Sequence, residues 1–241
     1  MRRSSSSSSS FSPLSQSPVQ RLRLIFSRGE ELKYLSHLDL MRLWHRAFRR
    51  AGMPLAYSQG FSPHPRFSLA APLPVGVTSE GELMDVFLER RVSPDFFAQA
   101  VSRQLPQGIE ILGVKEVWIG LPSLQSLVRF AEYRVGVEAE MKASAVQEAL
   151  HSLLEKKELP WQHRRGEEVR RYDLRAQISD LWLIEGSGSS YVLGMRLRQD
   201  PSGAGRPEQV ALALGFSQPP KSIHRVRLIL EGPTPSERRM A

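Results

Sequence analysis

Polar and apolar residues alternate along Arg21-Leu22-Arg23-Leu24-Ile25-Phe26, the pattern of a strand with one buried face. From Ser36 the period lengthens to that of a helix. Leu40, Met41, Trp44, Ala47, Phe48 and Ala51 fall on one side, and Arg42, Arg46, Arg49 and Arg50, with His45, on the other. Ser36 suits an N-cap with Asp39 three residues on, Leu35 can staple to Leu40, and Gly52 and Pro54 stop the helix. Strand-like residues return at 55–58, 66–70 and 83–88. Ser93-Pro94-Asp95 opens a second helix with Phe96, Phe97, Ala100 and Val101 as its apolar stripe, and 109–118 reads as a closing strand.

The second half repeats this order. Residues 129–137 read as a strand, and 144–157 as a helix with Val146, Ala149, Leu150, Leu153 and Leu154 inward. Residues 172–184 are extended around a turn at Asp180, 191–198 alternate, a short helix runs from Arg206 to Gly215, and 224–230 close the unit. The expected fold class is therefore α+β: two tandem ferredoxin-like β-α-β-β-α-β units, 21–120 and 121–232. A disordered Ser-rich tail, 1–20, is expected before them and a flexible tail, 233–241, after them. The leader has no acid and some Arg, as transit peptides do, but a serine run cannot bury enough surface to offset the entropy of ordering it.

Composition narrows the chemistry. The formal net charge is +8, which favours a polyanionic partner, with solubilising surface charge as the plainer reading. The chain has no cysteine, which excludes disulfides, thiolate zinc sites, thiol nucleophiles and a cluster ligated by this chain, and points to a reducing, cytoplasmic setting. No apolar run approaches the ~20 residues of a membrane helix. His37, His45, His64, His151, His163 and His224 are scattered without metal-ligand spacing, so neither metal nor cofactor is expected. Gly186-Ser187-Gly188 reads as a hairpin turn. Arg164-Arg165 and Arg170-Arg171 bracket Gly166-Glu167-Glu168 as a solvated hairpin or an extension of a basic groove, and Asp173 is expected to pair with Arg175.

The segment Gly60-Phe61-Ser62-Pro63-His64-Pro65-Arg66 stands out. Pro63 and Pro65 fix φ on both sides of His64, and Gly60 permits positive φ, so the loop presents His64 and Arg66 at low entropic cost. Pro72, Pro74 and Gly76 extend the stiffness. Guanidinium groups on the preceding helix suit a phosphate backbone or acids on a partner, against the plainer reading of a solvated face. The candidate ligand-binding residues are Arg42, Arg46, Arg49, Arg50, Tyr57, Ser58, Gly60, Phe61, His64 and Arg66. No catalytic residue is assigned; a proton-transfer role would fall to His64, with His37, Tyr57 and Ser58 as neighbours, or to His37 itself.

Tyr34-Leu35-Ser36-His37-Leu38-Asp39-Leu40, Arg49-Arg50-Ala51-Gly52-Met53-Pro54 and Tyr57-Ser58-Gln59-Gly60-Phe61-Ser62-Pro63-His64-Pro65-Arg66 together resemble the bacterial radical-SAM-linked family, a domain of unknown function. Tyr172-Asp173-Leu174-Arg175 and Ile178 continue the resemblance, which spans roughly residues 21–230. It implies a gene encoded beside, or fused to, a radical SAM protein with a cobalamin-binding-like domain, often near a ribonuclease of the E/G type. Without cysteine this chain would be the companion and not the radical enzyme. Three readings follow: a module that binds RNA or an RNA-associated substrate, a metal-independent ribonuclease using His64 or His37, and a protein-docking scaffold without nucleic acid. The expected partners are a radical SAM protein and RNA, with no membrane.

Overall fold

A computed structural model describes residues 17–231, apart from Glu167 and the side chains of Arg164 and Arg165; the expected tail 233–241 and residues 1–16 of the Ser-rich tail lie outside the described residues. The first half runs β1 (Gln20–Arg28), α1 (His37–Arg50), β2 (Phe67–Leu69), β3 (Thr78–Leu88), α2 (Pro94–Ser102) and β4 (Ile109–Val117). A short helix, α3 (Leu124–Leu127), leads into β5 (Val128–Glu138), α4 (Ala143–Glu155), β6 (Pro160–Arg165) and β7 (Glu168–Asp173). Then come β8 (Ile178–Ser187), β9 (Ser190–Asp200), β10 (Gly203–Ala204), α5 (Pro207–Ala213) and β11 (Ser222–Leu230).

The fold is mixed α+β, with a large, mostly antiparallel sheet. In the first half the strands lie in the order β4-β1-β3-β2, and in the second in the order β11-β5-β9-β8, every neighbouring pair antiparallel. One short parallel contact, His224 opposite Thr78 and Arg225 opposite Ser79, joins β11 to β3 and makes the sheet continuous. β6 and β7 form a separate hairpin.

The periodicities explain the layers. Leu22, Leu24 and Phe26 on β1 and Met84, Val86 and Leu88 on β3 project from one face, where α1 supplies Leu40, Trp44, Ala47 and Phe48, and α2 supplies Phe97 and Val101. The rings interlock: Trp44 meets Phe26 at 5.0 Å and Phe48 at 5.5 Å, and Phe48 meets Phe97 at 5.7 Å between centroids. In the second half Val135, Val137, Leu193 and Met195 pack against Val146, Leu150 and Leu153 of α4 and Val210 of α5. Arg28 pairs with Ser79, Ser79 with Arg225 and Arg225 with Tyr133 across four strands, so both sets of helices cover the same face. Among the described residues no helix is long and apolar enough to cross a membrane.

Ser36 caps α1 as expected, its Oγ accepting the Asp39 backbone N–H at 3.2 Å. Ser36→Ala removes that acceptor and is expected to cost about 1 kcal/mol, measured as a lower denaturant midpoint at unchanged m-value.

Some expectations are corrected. Residues 55–58 make only the isolated bridges Leu55–Leu88 and Tyr57–Pro65, because Pro54 and Pro65 remove ladder donors. β3 starts at Thr78, five residues before the apolar run that suggested it, and the turn in the second half falls at Arg175–Gln177 instead of Asp180. Asp173 and Arg175 do not pair. Asp173 Oδ1 accepts the backbone N–H of Leu159 (2.7 Å) and of Arg175 (3.0 Å), while the Arg175 guanidinium donates to the carbonyls of Leu154 and Ile178.

Candidate nucleic-acid interface

Helix α1 buries its apolar stripe and turns its arginines outward. Arg42, Arg46 and Arg50 are four residues apart and form one exposed row; Arg49 is exposed on the adjoining row behind His45. Arg42 is held to Asp39 at 3.3 Å, a loose exposed pair of little energetic weight. Arg46, Arg49 and Arg50 make no ion pair among the described residues. Burial, followed by the charge of Arg49, pushes the His45 imidazole below its ordinary value, which favours its neutral form beside the arginines.

Arg46 and Arg50 share a groove with a cation the sequence reading missed. The end of α2 and its following turn bring Arg103, Gln104, Leu105 and Pro106 opposite Leu43, Arg46, Ala47 and Arg50 around a space of about 360 Å³. Among the described residues no carboxylate lines it. Three guanidinium groups thus border one groove with Gln104 as the other polar side chain, a surface suited to phosphate oxygens. The signal for Arg103 lay in α2: it is the C-cap residue, one past a helix whose apolar face packs beside α1.

The proline-bearing loop is closed on itself. The Ser58 N–H donates to the His64 carbonyl at 2.8 Å, and Ser58 Oγ accepts the His64 N–H at 3.0 Å. Gly60 adopts φ +125°, a conformation that L side chains rarely take, and Phe61 at the tip is fully exposed. Tyr57 and Pro65 form the bridge at the neck. Arg66 leaves the loop with its N–H on the Ala56 carbonyl (2.7 Å) and its guanidinium over the Phe87 ring (4.7 Å). Tyr57, Ser58, Gly60, Phe61 and His64 therefore belong to one preformed projection.

The structure does not assemble a histidine pair. His37 is the first residue of α1, whereas Phe48, two residues from its end, packs on Phe67 just beyond the loop. Fourteen helical residues, about 20 Å, separate the two ends. The His64 imidazole makes no hydrogen bond to another side chain among the described residues, and no group of three or more His, Asp or Glu side chains is placed to hold a metal there.

No curated protein matches the chain. Among solved structures, a Cbf5-Nop10-Gar1 complex is similar at 11% identity and a TM-score of 0.47, over 88% of this chain and 49% of that one. An H/ACA RNP bound to a substrate RNA containing 2'-deoxyuridine gives 11% identity and a TM-score of 0.46, over 87% and 47%. The chain thus spans about half the length of these two. Ferric DtpA from Streptomyces lividans gives 12% identity and a TM-score of 0.26, over 91% and 90%. The strongest assignment comes from the sequence itself: residues 21–207 match the description "uncharacterized protein conserved in bacteria" (DUF2344), and the chain belongs to that family.

Proposed function

We propose that this protein is a cytoplasmic, non-radical companion of a radical SAM enzyme, a binding module that recognises RNA or an RNA-associated substrate. The observation that carries the RNA reading is the groove bordered by Arg46, Arg50 and Arg103, which among the described residues holds three cations and no carboxylate. Arg49 beside it and the closed Ser58–His64 loop extend the surface. The absence of cysteine and the motif resemblance support the companion role. We read the two halves as tandem ferredoxin-like units, 21–120 and 121–232, which the repeated strand order β4-β1-β3-β2 and β11-β5-β9-β8 supports.

Anisotropy titration of a labelled, mixed-sequence single-stranded RNA tests the reading. Binding is expected to weaken steeply with salt, and the triple change Arg46→Ala, Arg50→Ala, Arg103→Ala is expected to lower the slope of log K against log salt by about 2. RNA binding unaffected by the triple change would remove this groove from the interface. A second reading, docking of the radical SAM protein itself, is favoured by one observation: Phe61 is fully exposed at the tip of a loop fixed by its own hydrogen bonds. Capture of the purified partner, insensitive to ribonuclease and lost in Phe61→Ala, would favour that reading over RNA.

A further inference from the structure

A second basic cleft lies in the other half of the chain, away from α1. The β6–β7 hairpin leans toward the turn between β9 and β10, and the space between them is about 450 Å³. Arg170, Arg171 and Arg206 border it, with His163, Tyr172, Gln177 and Ser202. Among the described residues Glu168 is the only carboxylate in the lining, and it is engaged by Arg170 at 3.4 Å. Arg171 and Arg206 make no ion pair or side-chain hydrogen bond among the described residues. Two cations therefore line the cleft without a counter-charge among the described residues.

The polar atoms around these cations point the same way. Both ring nitrogens of His163 and Oε1 of Gln177 are buried and have no partner among the described residues. The His163 ring stands edge-on to Tyr172, 5.7 Å between centroids, so one wall is aromatic. The opposite wall is fixed. Asp200 Oδ1 accepts the Ser202 N–H (2.8 Å) and hydroxyl (2.5 Å), and Arg198 donates to Oδ2 (2.5 Å). Burial would raise this carboxyl, but those donors hold it down at about 2. Asp200 is thus committed to the turn and leaves the cleft cationic.

The geometry points to a nucleotide site: we infer that this cleft binds a phosphate-bearing nucleotide unit, with Arg171 and Arg206 on the phosphate and Gln177 and His163 on the sugar or base. A bare phosphate is too small for the space and offers Gln177 Oε1 no donor other than an acidic hydroxyl. A nucleotide supplies an anion, ribose hydroxyl donors and a ring to lie against Tyr172 and His163, and 450 Å³ is within the ordinary range for small-ligand sites. The unit is either a free mononucleotide or one residue of an RNA strand. In the second case the inference rests on the RNA reading above and gives that strand a second point of attachment.

The test uses the full chain and two probes: the four nucleoside monophosphates by calorimetry, and the labelled single-stranded RNA by anisotropy. The double variant Arg171→Ala, Arg206→Ala is compared with wild type and with a charge-matched control, Arg90→Ala, Lys115→Ala, whose side chains are exposed in the first half. Both cleft arginines are exposed, and an unchanged thermal midpoint confirms that the variant folds. Loss of monophosphate affinity by about tenfold or more in the cleft variant, absent from the control, supports a free-nucleotide site. Loss of that size for RNA alone supports a site for a strand residue. RNA binding that the cleft variant leaves within about twofold, with no monophosphate bound by wild type, overturns the inference and leaves the α1 interface standing. Monophosphate binding that is lost in the cleft variant, without any RNA binding, supports the cleft and removes the RNA reading. No binding of either probe removes both.

Discussion

Asp85→Ala is expected to lower stability by about 3–5 kcal/mol, a fall in the thermal midpoint on the order of 10 °C for a chain of this size. Asp85 is completely buried on the sheet face opposite the helices. It accepts four hydrogen bonds, from Nε and Nη2 of both Arg21 and Arg23, whose side chains are themselves nearly buried. Removing the carboxylate strands two buried guanidinium groups without their anion. Arg21 also donates to the carbonyls of Leu121 (2.6 Å) and Pro122 (2.9 Å), so the loss reaches the segment that carries the chain from β4 to β5. Replacing Arg21, Arg23 and Asp85 together by leucine removes both the charges and their desolvation cost, and is expected to recover much of the loss. A triple variant no more stable than Asp85→Ala would show that the destabilisation comes from lost shape and not from unpaired charge.

The same residues show what local pattern can and cannot reveal. Alternation along β1 identified the strand and its apolar side, and Leu22, Leu24 and Phe26 are in the core. Alternation leaves Arg21 and Arg23 on the other side, and a half-buried strand ordinarily turns its charges to water. What buries them is Asp85 on β3 and the linker at Leu121 and Pro122, more than sixty residues away in sequence. β3 was expected to begin at Leu83 for the same reason. Glu80 and Glu82 interrupt its apolar run, yet Glu82 is buried by a partner 143 residues along the chain. Helix α1 was legible throughout, since cap, stripe and stop signals agree within one segment.

The candidate site divides in the same way. The arginine row of α1 follows from helical spacing alone, and the closed loop from Gly60, Pro63 and Pro65. Arg103 enters the groove only because α2 packs beside α1 over a shared sheet. Arg171 and Arg206 meet across a cleft that needs the β6–β7 hairpin to return to the β9–β10 turn. The doublet Arg170-Arg171 was visible as charge, but its partner wall lies some thirty residues further on. Tertiary packing gathers these cations, and no local window of sequence contains the groups that face each other.

Glu82→Gln is expected to have an effect of similar size and a different form, because it acts where the two halves meet. The direct strand contact between them is short, His224 with Thr78 and Arg225 with Ser79. Beneath the loop of Pro72 and Pro74 lies a buried cluster that reinforces it. Glu82 accepts Nε of Arg225 and the Ser79 hydroxyl, both at 2.7 Å, and pairs with Nη2 of the same guanidinium. Arg225 also donates to the Ala71 carbonyl at 3.1 Å, and Arg28 donates to the carbonyls of Pro74 and Val77, both at 2.7 Å. Burial opposes the charge on both arginines. Glu82 more than offsets this at Arg225, whose guanidinium is held above its usual value, while Arg28 is left below its own. The amide of Gln preserves volume but leaves two buried cations without an anion, a loss of about 3–5 kcal/mol. The larger apolar cluster itself reaches across the junction, because Ala70, Ala71, Leu73 and Val77 join the second half's core, while the other cluster lies wholly in the first half. Loss of the ion cluster beside that seam is expected to let the two cores melt separately, so calorimetry resolves two transitions in Glu82→Gln where the parent unfolds in one. Hydrogen exchange should quicken first at β11 and at residues 70–77. A single transition, shifted without broadening, would mean that the halves remain coupled through the sheet and the apolar packing of residues 70–77, and that the ion cluster adds stability without holding them together.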